Sequence, residues 1–280
     1  MPCLIRLLTS EGLKPVDYRA DSLGDAARHE PYDGVYTITN TYNTFQVLKL
    51  DAHLDRLENS ARLSGIPLVV DRARLRAALR QMIAEGYGKL WDTAVRFRVT
   101  VPRDEPQCLI LSIEPFAPPA PEVYAAGVRC VTVTDAARHN PAAKTTGWMQ
   151  DRQAVEQALP PGVYTGLLLS KTDDILEGLS SNFYAILHGE LRTAGRDVLP
   201  GIAQQIVFEI APEVLPLHRD AVNVIDIPRL DEAFITSSSR GIIPVIAIDG
   251  ITIGSGKPGV KTCALRERYA AWVAAHLEEL

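Results

Sequence analysis

The sequence predicts an α+β chain of two domains, and three observations carry that prediction. Up to about residue 115, runs with helical periodicity are interleaved with strand-like runs. A proline-rich stretch, EPFAPPAPEVYAAG at 114–127, then interrupts the pattern. Beyond it, short strand-like runs bounded by glycine and proline dominate, as in a compact barrel-like β domain with peripheral helices.

In the first part, GVYTITNTYN (34–43) and TFQVLKL (44–50) read as two strands with a turn at Asn43. In DAHLDRLENSARLSG, Leu50, Leu54, Leu57 and Ala61 recur at helical spacing, and Gly65 supplies a stop. DRARLRAALRQMIAEGYG (71–88) is a second amphipathic helix ending at glycine, and AVRFRVTV and CLILSIEP form a strand pair. Four prolines at 115–121 remove donors and stiffen the chain, so residues 117–127 are expected to be an extended linker between domains at 1–116 and 128–280. In the second part, GVRCVTVT, VYTGLLLS, FYAILHG, ELRTA, EAFITSS and PVIAIDG read as strands. Helices are expected at 148–159, at 201–214 and from Lys261 to the end.

The bulk numbers narrow the function classes. Hydrophobic residues make up 46% and charged residues 22%, which excludes disordered and fibrous chains. The formal net charge of -5 gives no footprint for nucleic acid. Cys3, Cys108, Cys130 and Cys263 form no CxxC pair and no zinc spacing, so no metal is expected, and such cysteine usage suits a reducing cytoplasm. The N-terminus is too short and too charged for a signal peptide. No apolar run reaches the ~18 residues of a membrane helix, so no membrane partner is expected.

Five segments can carry chemistry, and each also has an ordinary reading. Lys144, in RHNPAAKTTGWMQDRQAV, sits between a strand and a helix. Partial burial there would favour a neutral amine able to form a Schiff base, whereas a solvated loop lysine is the plain alternative. Glu177, in EGLSSNFYAI, places a lone carboxylate between two buried-looking strands. It can pair with a positively charged nitrogen such as that of a pyridine ring, or be a surface turn acid. Arg56, in HLDRLENSA, can reach a phosphate from its helix or be a salt-bridged surface residue. LPGIAQQIVFEI leads from Pro-Gly into a helix, where the N–H groups of Gly201, Ile202 and Ala203 offer an anion site or merely a helix start. FITSSSRGIIPV ends a strand with four hydroxyls, Thr236 to Ser239, a phosphate cradle or a polar turn.

Together, in this order, these segments resemble the class IV aminotransferases, the fold-type IV pyridoxal-phosphate enzymes. YDGVYTITNTYN is similar to the family's early strand, HLDRLENSA to its phosphate-arginine helix, and AAKTT to its Schiff-base lysine segment. EGLSSNFYAI is similar to the signature around the cofactor-pairing glutamate, and LPGIAQQIV and AFITSSSRGIIPV to the two phosphate-loop segments. The resemblance runs from about residue 30 to 270. It implies an N-terminal α/β sandwich, a C-terminal pseudo-barrel, pyridoxal 5'-phosphate between them, and a homodimer.

By the same resemblance, Lys144 is the catalytic lysine and Glu177 pairs with the pyridine nitrogen. Arg56, the backbone of Gly201, Ile202 and Ala203, and Ser238 or Ser239 anchor the phosphate. Tyr36 lines the substrate pocket. The implied reaction moves an amino group from an amino acid or primary amine to a 2-keto acid in ping-pong fashion. A lyase of the aminodeoxychorismate type, or a non-catalytic relative, are the alternatives. The chain departs from the family pattern at Gln204, where an arginine is common, and at Met149, where a tyrosine is common. It also lacks the family's usual carboxylate motifs: VRFR replaces the aromatic-x-Arg-Pro pattern, and Val101 stands where D-amino-acid enzymes carry arginine. Arg96, Arg98 and Arg240 are the remaining candidates for a substrate carboxylate.

Overall fold

The computed structural model describes residues 3–134 and 136–280. Met1 and Pro2 of the expected N-terminal domain, and Asp135, lie outside the described residues. The chain divides into two compact units: Met1–Ala117 with Ala142–Asp151 and His276–Leu280, and Pro118–Pro141 with Arg152–Ala275.

The first unit opens with β1 (Leu4–Thr9), β2 (Gly12–Pro15) and a short α1 (Leu23–Ala26). It continues through β3 (Val35–Asn40), β4 (Gln46–Leu48), α2 (Leu50–Leu63), α3 (Arg72–Gly86), β5 (Val95–Val101) and β6 (Leu109–Pro115). Its main sheet is antiparallel with the order β2-β1-β6-β5-β3. Alternation sorts β5 into two faces. Val95, Phe97, Val99 and Val101 join a core with Leu50, Leu54, Leu57 and Ala61 of α2 and Leu75, Leu79, Met82 and Ile83 of α3. Arg96, Arg98 and Thr100 take the other face, in register with Asn40, Ile38 and Tyr36 of β3.

The second unit adds α4 (Pro121–Ala126), β7 (Val128–Val133), the second half of α5 (Thr146–Gln157), β8 (Thr165–Leu169), β9 (Ile175–Gly178), β10 (Ser181–Leu187) and β11 (Glu190–Arg192). Then come α6 (Ile202–Ile210), β12 (Leu217–His218), β13 (Glu232–Ser237), β14 (Gly241–Ile248), β15 (Ile251–Thr252) and α7 (Val260–Ala275). The strands run β10-β13-β14-β7-β8-β9, and β9 pairs back onto β10, which closes the sheet into a barrel. Closure leaves β10 buried along its whole length. Phe183, Ala185 and Leu187 enter one core, while Tyr184 stacks on Phe234 of β13.

Three sequence expectations change. Residues 121–126 of the expected extended linker form α4, because Pro121 occupies the first helical position, where its missing N–H costs nothing. The last helix stops at Ala275, and a final strand, β16 (Leu277–Glu279), pairs with β4 in the first unit. Leu280 is buried in that unit's core, which draws the terminus out of the helix. Residues 142–151 also belong to the first unit, although the sequence placed them in the second domain. Gly34 N–H donates to Thr146 Oγ1 at 2.7 Å, and Thr146 Oγ1 donates to Tyr32 O at 2.7 Å, which ties this stretch to the start of β3.

Candidate active site

In the first unit, Lys144 is held by its own backbone. Its N–H donates to Ser60 Oγ at 3.0 Å, and its carbonyl accepts from Tyr36 N–H at 3.0 Å. Helix α2 and strand β3 therefore fix where the lysine side chain starts. Its Nζ lies 4.6 Å from the centroid of the buried Tyr36 ring, a favourable cation–π placement.

Arg56 is buried on α2, and the carbonyl of Arg56 accepts from Ser60 Oγ at 2.7 Å. Ser60 thus joins the backbones of the arginine and the lysine. His53 lies one turn before Arg56, 1% exposed, with Nδ1 3.0 Å from Thr37 Oγ1 of β3. Burial holds the His53 pKa well below its ordinary 6.5, and the charges of Arg56 and Lys144 push it the same way. The corner therefore presents two cations beside an imidazole kept neutral, chemistry suited to an anionic ligand and an amine nucleophile. The sequence reading assigned nothing to His53 or Ser60. Their spacing of three and four residues from Arg56 puts all three on one helical stripe, which was the available signal.

In the second unit, Glu177 of β9 is 2% exposed. Arg138 Nη1 donates to its Oε1 at 3.0 Å, and Leu199 N–H donates to its Oε2 at 3.2 Å. A buried carboxylate needs such partners to stay ionised, and both donors favour the charged form. Arg138 was missed by sequence reasoning, because no local pattern couples a loop arginine to an acid in a distant strand. The pair lines a cleft of about 1300 Å3 that also includes Lys171, Arg196 and Arg219.

Helix α6 begins at Ile202, and Gly201 supplies no side-chain cap for it. Gly201, Ile202, Ala203 and Gln204 are all buried. Ser238, Ser239 and Arg240 form the half-buried turn between β13 and β14.

The structure separates the three candidate carboxylate ligands. Arg240 Nε donates to Ser237 Oγ at 2.7 Å, and its Nη2 donates to Ser180 O at 2.9 Å and Ser180 Oγ at 3.0 Å. It braces the turn that follows Glu177 against the serine run. Arg98, expected at the substrate, is enclosed by protein partners. It is 2% exposed, ion-paired with buried Glu30 through Nε and Nη2, and donates through Nη1 to Leu23 O at 2.8 Å. Thr100 Oγ1 donates to the second oxygen of Glu30 at 2.6 Å. Each side-chain nitrogen of Arg98 is thus engaged by the protein. Arg96, on the same face, lies 3.9 Å from Glu114.

Among the described residues, no group of His, Cys, Asp and Glu is placed to hold a metal ion, and no helix is long and apolar enough to cross a membrane.

Comparison with known proteins gives these features a common setting. The family model for class IV amino-transferases matches residues 34–248. The chain is 29% identical over 243 residues to the D-alanine aminotransferase of Bacillus licheniformis, covering 82% of this chain and 84% of that protein. It is 27% identical over 250 residues to a protein of Methanocaldococcus jannaschii provisionally named a branched-chain-amino-acid aminotransferase, covering 85% and 86%. Among solved structures, the branched-chain aminotransferase of Thermoproteus uzoniensis superposes with a TM-score of 0.79 at 21% identity, covering 100% of this chain and 99% of that one. That of Escherichia coli does so with a TM-score of 0.79 at 21% identity, covering 98% and 96%. The fold is therefore that of the fold-type IV enzymes. With the family model spanning β3 to β14, and so including Lys144, Glu177 and the start of α6, this chain belongs to the class IV aminotransferases.

Proposed function

We propose that this chain uses pyridoxal 5'-phosphate to transfer an amino group from an amino acid or primary amine to a 2-keto acid. The observation that carries the reading is the corner in which Lys144 and Arg56 meet a neutral His53. The donor chemistry on each unit fits the cofactor. Lys144 supplies the amine for its aldehyde carbon, and Arg56, the N–H groups at the start of α6, and Ser238 or Ser239 supply partners for its phosphate. Glu177 supplies a carboxylate for the pyridine nitrogen.

When bound, the cofactor supplies an electron sink for negative charge on the carbon that bears the amine. Lys144 Nζ would hold the cofactor at its aldehyde carbon and, once an incoming amine had displaced it, would serve as the general base for the proton on the amine-bearing carbon. Arg138 and Leu199 N–H orient the Glu177 carboxylate, which would pair with the ring nitrogen. Tyr36 walls the substrate side and seats the lysine head. Neither Arg98 nor Arg240 is placed in the proposed substrate set, given their protein partners. The family match and the named relatives favour transamination over the lyase and the non-catalytic readings. A homodimer in the cytoplasm completes the proposal, supported by the resemblance and the cysteine usage.

The test is a donor panel of D-alanine, L-leucine, L-glutamate and (R)-1-phenylethylamine, with pyruvate or 2-oxoglutarate as acceptor. One donor class should yield equal amounts of its keto product and of the aminated acceptor, with ping-pong kinetics. Turnover of an aminated chorismate to pyruvate without any acceptor would replace the proposal with the lyase.

A further inference from the structure

Asn182 is named in the EGLSSN motif but has no role in the chemistry above. It is 6% exposed, and its surroundings are unusual. On its backbone it stands opposite Glu177 of β9 on one side and opposite Thr236 of β13 on the other. Its Nδ2 donates to Leu199 O at 2.9 Å. Leu199 also donates its N–H to Glu177 Oε2 at 3.2 Å. Leu199 is therefore fixed at its N–H by the acid and at its carbonyl by Asn182.

The other end of the amide meets Gly201. A Cβ built on Gly201 would overlap Asn182 Oδ1. The φ of Gly201 is -72°, which any residue can adopt, so space rather than backbone conformation demands glycine there. Asn182 cannot swing aside without giving up Leu199 O, and a buried carbonyl left unpaired is costly.

We propose that Asn182 is a positioning residue that locks the acid segment at Glu177 to the start of α6 through Leu199 and Gly201. The inference rests on the cofactor reading, because it assigns Asn182 to the relative placement of the groups meant for the ring nitrogen and the phosphate. It requires the side chain to act at two ends at once: the Leu199 carbonyl orients Glu177 indirectly, and the contact with Gly201 sets the first turn of α6.

A double-mutant cycle tests this, read as the dissociation constant for pyridoxal phosphate and as the pH at which the bound cofactor's visible band changes. Gly201→Ala in the parent chain should weaken cofactor binding about tenfold, while in an Asn182→Ala background it should add less than about twofold, since the overlapping atom is gone. Asn182→Ala and Asn182→Ser should each shift the pH of the spectral change, which a residue that only stabilises the fold would leave in place. Melting temperatures without cofactor monitor the fold. Additive effects in the cycle, or an unmoved pH, would overturn the proposal. Loss of the folded state in both Asn182 variants would also overturn it, by making the residue structural. A parent chain that takes up no pyridoxal phosphate would instead overturn the cofactor reading on which the proposal stands.

Discussion

Arg98 and Arg138 are each paired with a buried glutamate, and their different positions give them different work. Arg138 pairs with Glu177 in the barrel unit, where the acid has a proposed ligand. Arg98 and Glu30 satisfy each other, with Thr100 and Leu23 completing the set. Removing one member of such a pair leaves an uncompensated charge in the interior. Arg98→Ala should therefore lower the unfolding free energy by about 3–5 kcal/mol, measured with denaturant. The KM for the amino donor should hold steady under conditions where the variant is folded. A raised KM with unchanged stability would return Arg98 to the substrate. Neither pairing was legible in the sequence. Alternation placed Arg96 and Arg98 on one face of β5, but Glu30 is 68 residues away and Arg138 is 39 from Glu177, and no local pattern reports a contact at that range.

Helix α2 shows what element-level reading can and cannot reach. Its apolar spacing foretold both its existence and the inward face of Leu54, Leu57 and Ala61. Its start was not foretold. Lys49 has a left-handed φ of 48° and makes no side-chain cap, and the carboxylate of Glu278 accepts from Leu50 N–H at 2.9 Å instead. That cap comes from β16, which the sequence reading had absorbed into a helix because LEEL is as compatible with helix as with strand.

The same helix carries His53, whose lowered pKa makes a pH prediction. The folded state leaves His53 neutral, while the unfolded chain takes up a proton below about 6.5. Its contribution to stability is thus complete above that pH and is lost as the pH falls below it, by up to about 1.4 kcal/mol per pH unit. Denaturant midpoints should fall between about pH 7 and pH 5, and His53→Gln should flatten that slope. An equal slope in the variant would show that the proton uptake lies elsewhere.

At the scale of the molecule, much of the architecture was readable. Short strands with Pro/Gly turns foretold a barrel-like unit, and six strands do close on themselves. Strand order was not readable, because β7 pairs in parallel with both β8 and β14 and such pairings leave no mark in local sequence. Nor was the return of residues 142–151 to the first unit, which hinges on Thr146 and Tyr36 rather than on composition. The lysine and the acid were singled out through resemblance to a family whose model matches residues 34–248. Ser60 and Arg138, which bond the lysine and the acid directly, came from the structure, as did the surroundings of His53 and Asn182.

Every role proposed for the site depends on Lys144 carrying pyridoxal phosphate. The most direct measurement is the visible absorption spectrum of the purified protein with added cofactor, recorded for the parent chain and for Lys144→Ala, before and after each amine of the donor panel. The parent chain should show a yellow band that the substitution abolishes and that one donor class bleaches. A parent chain that stays colourless, or a band that survives Lys144→Ala, would contradict it.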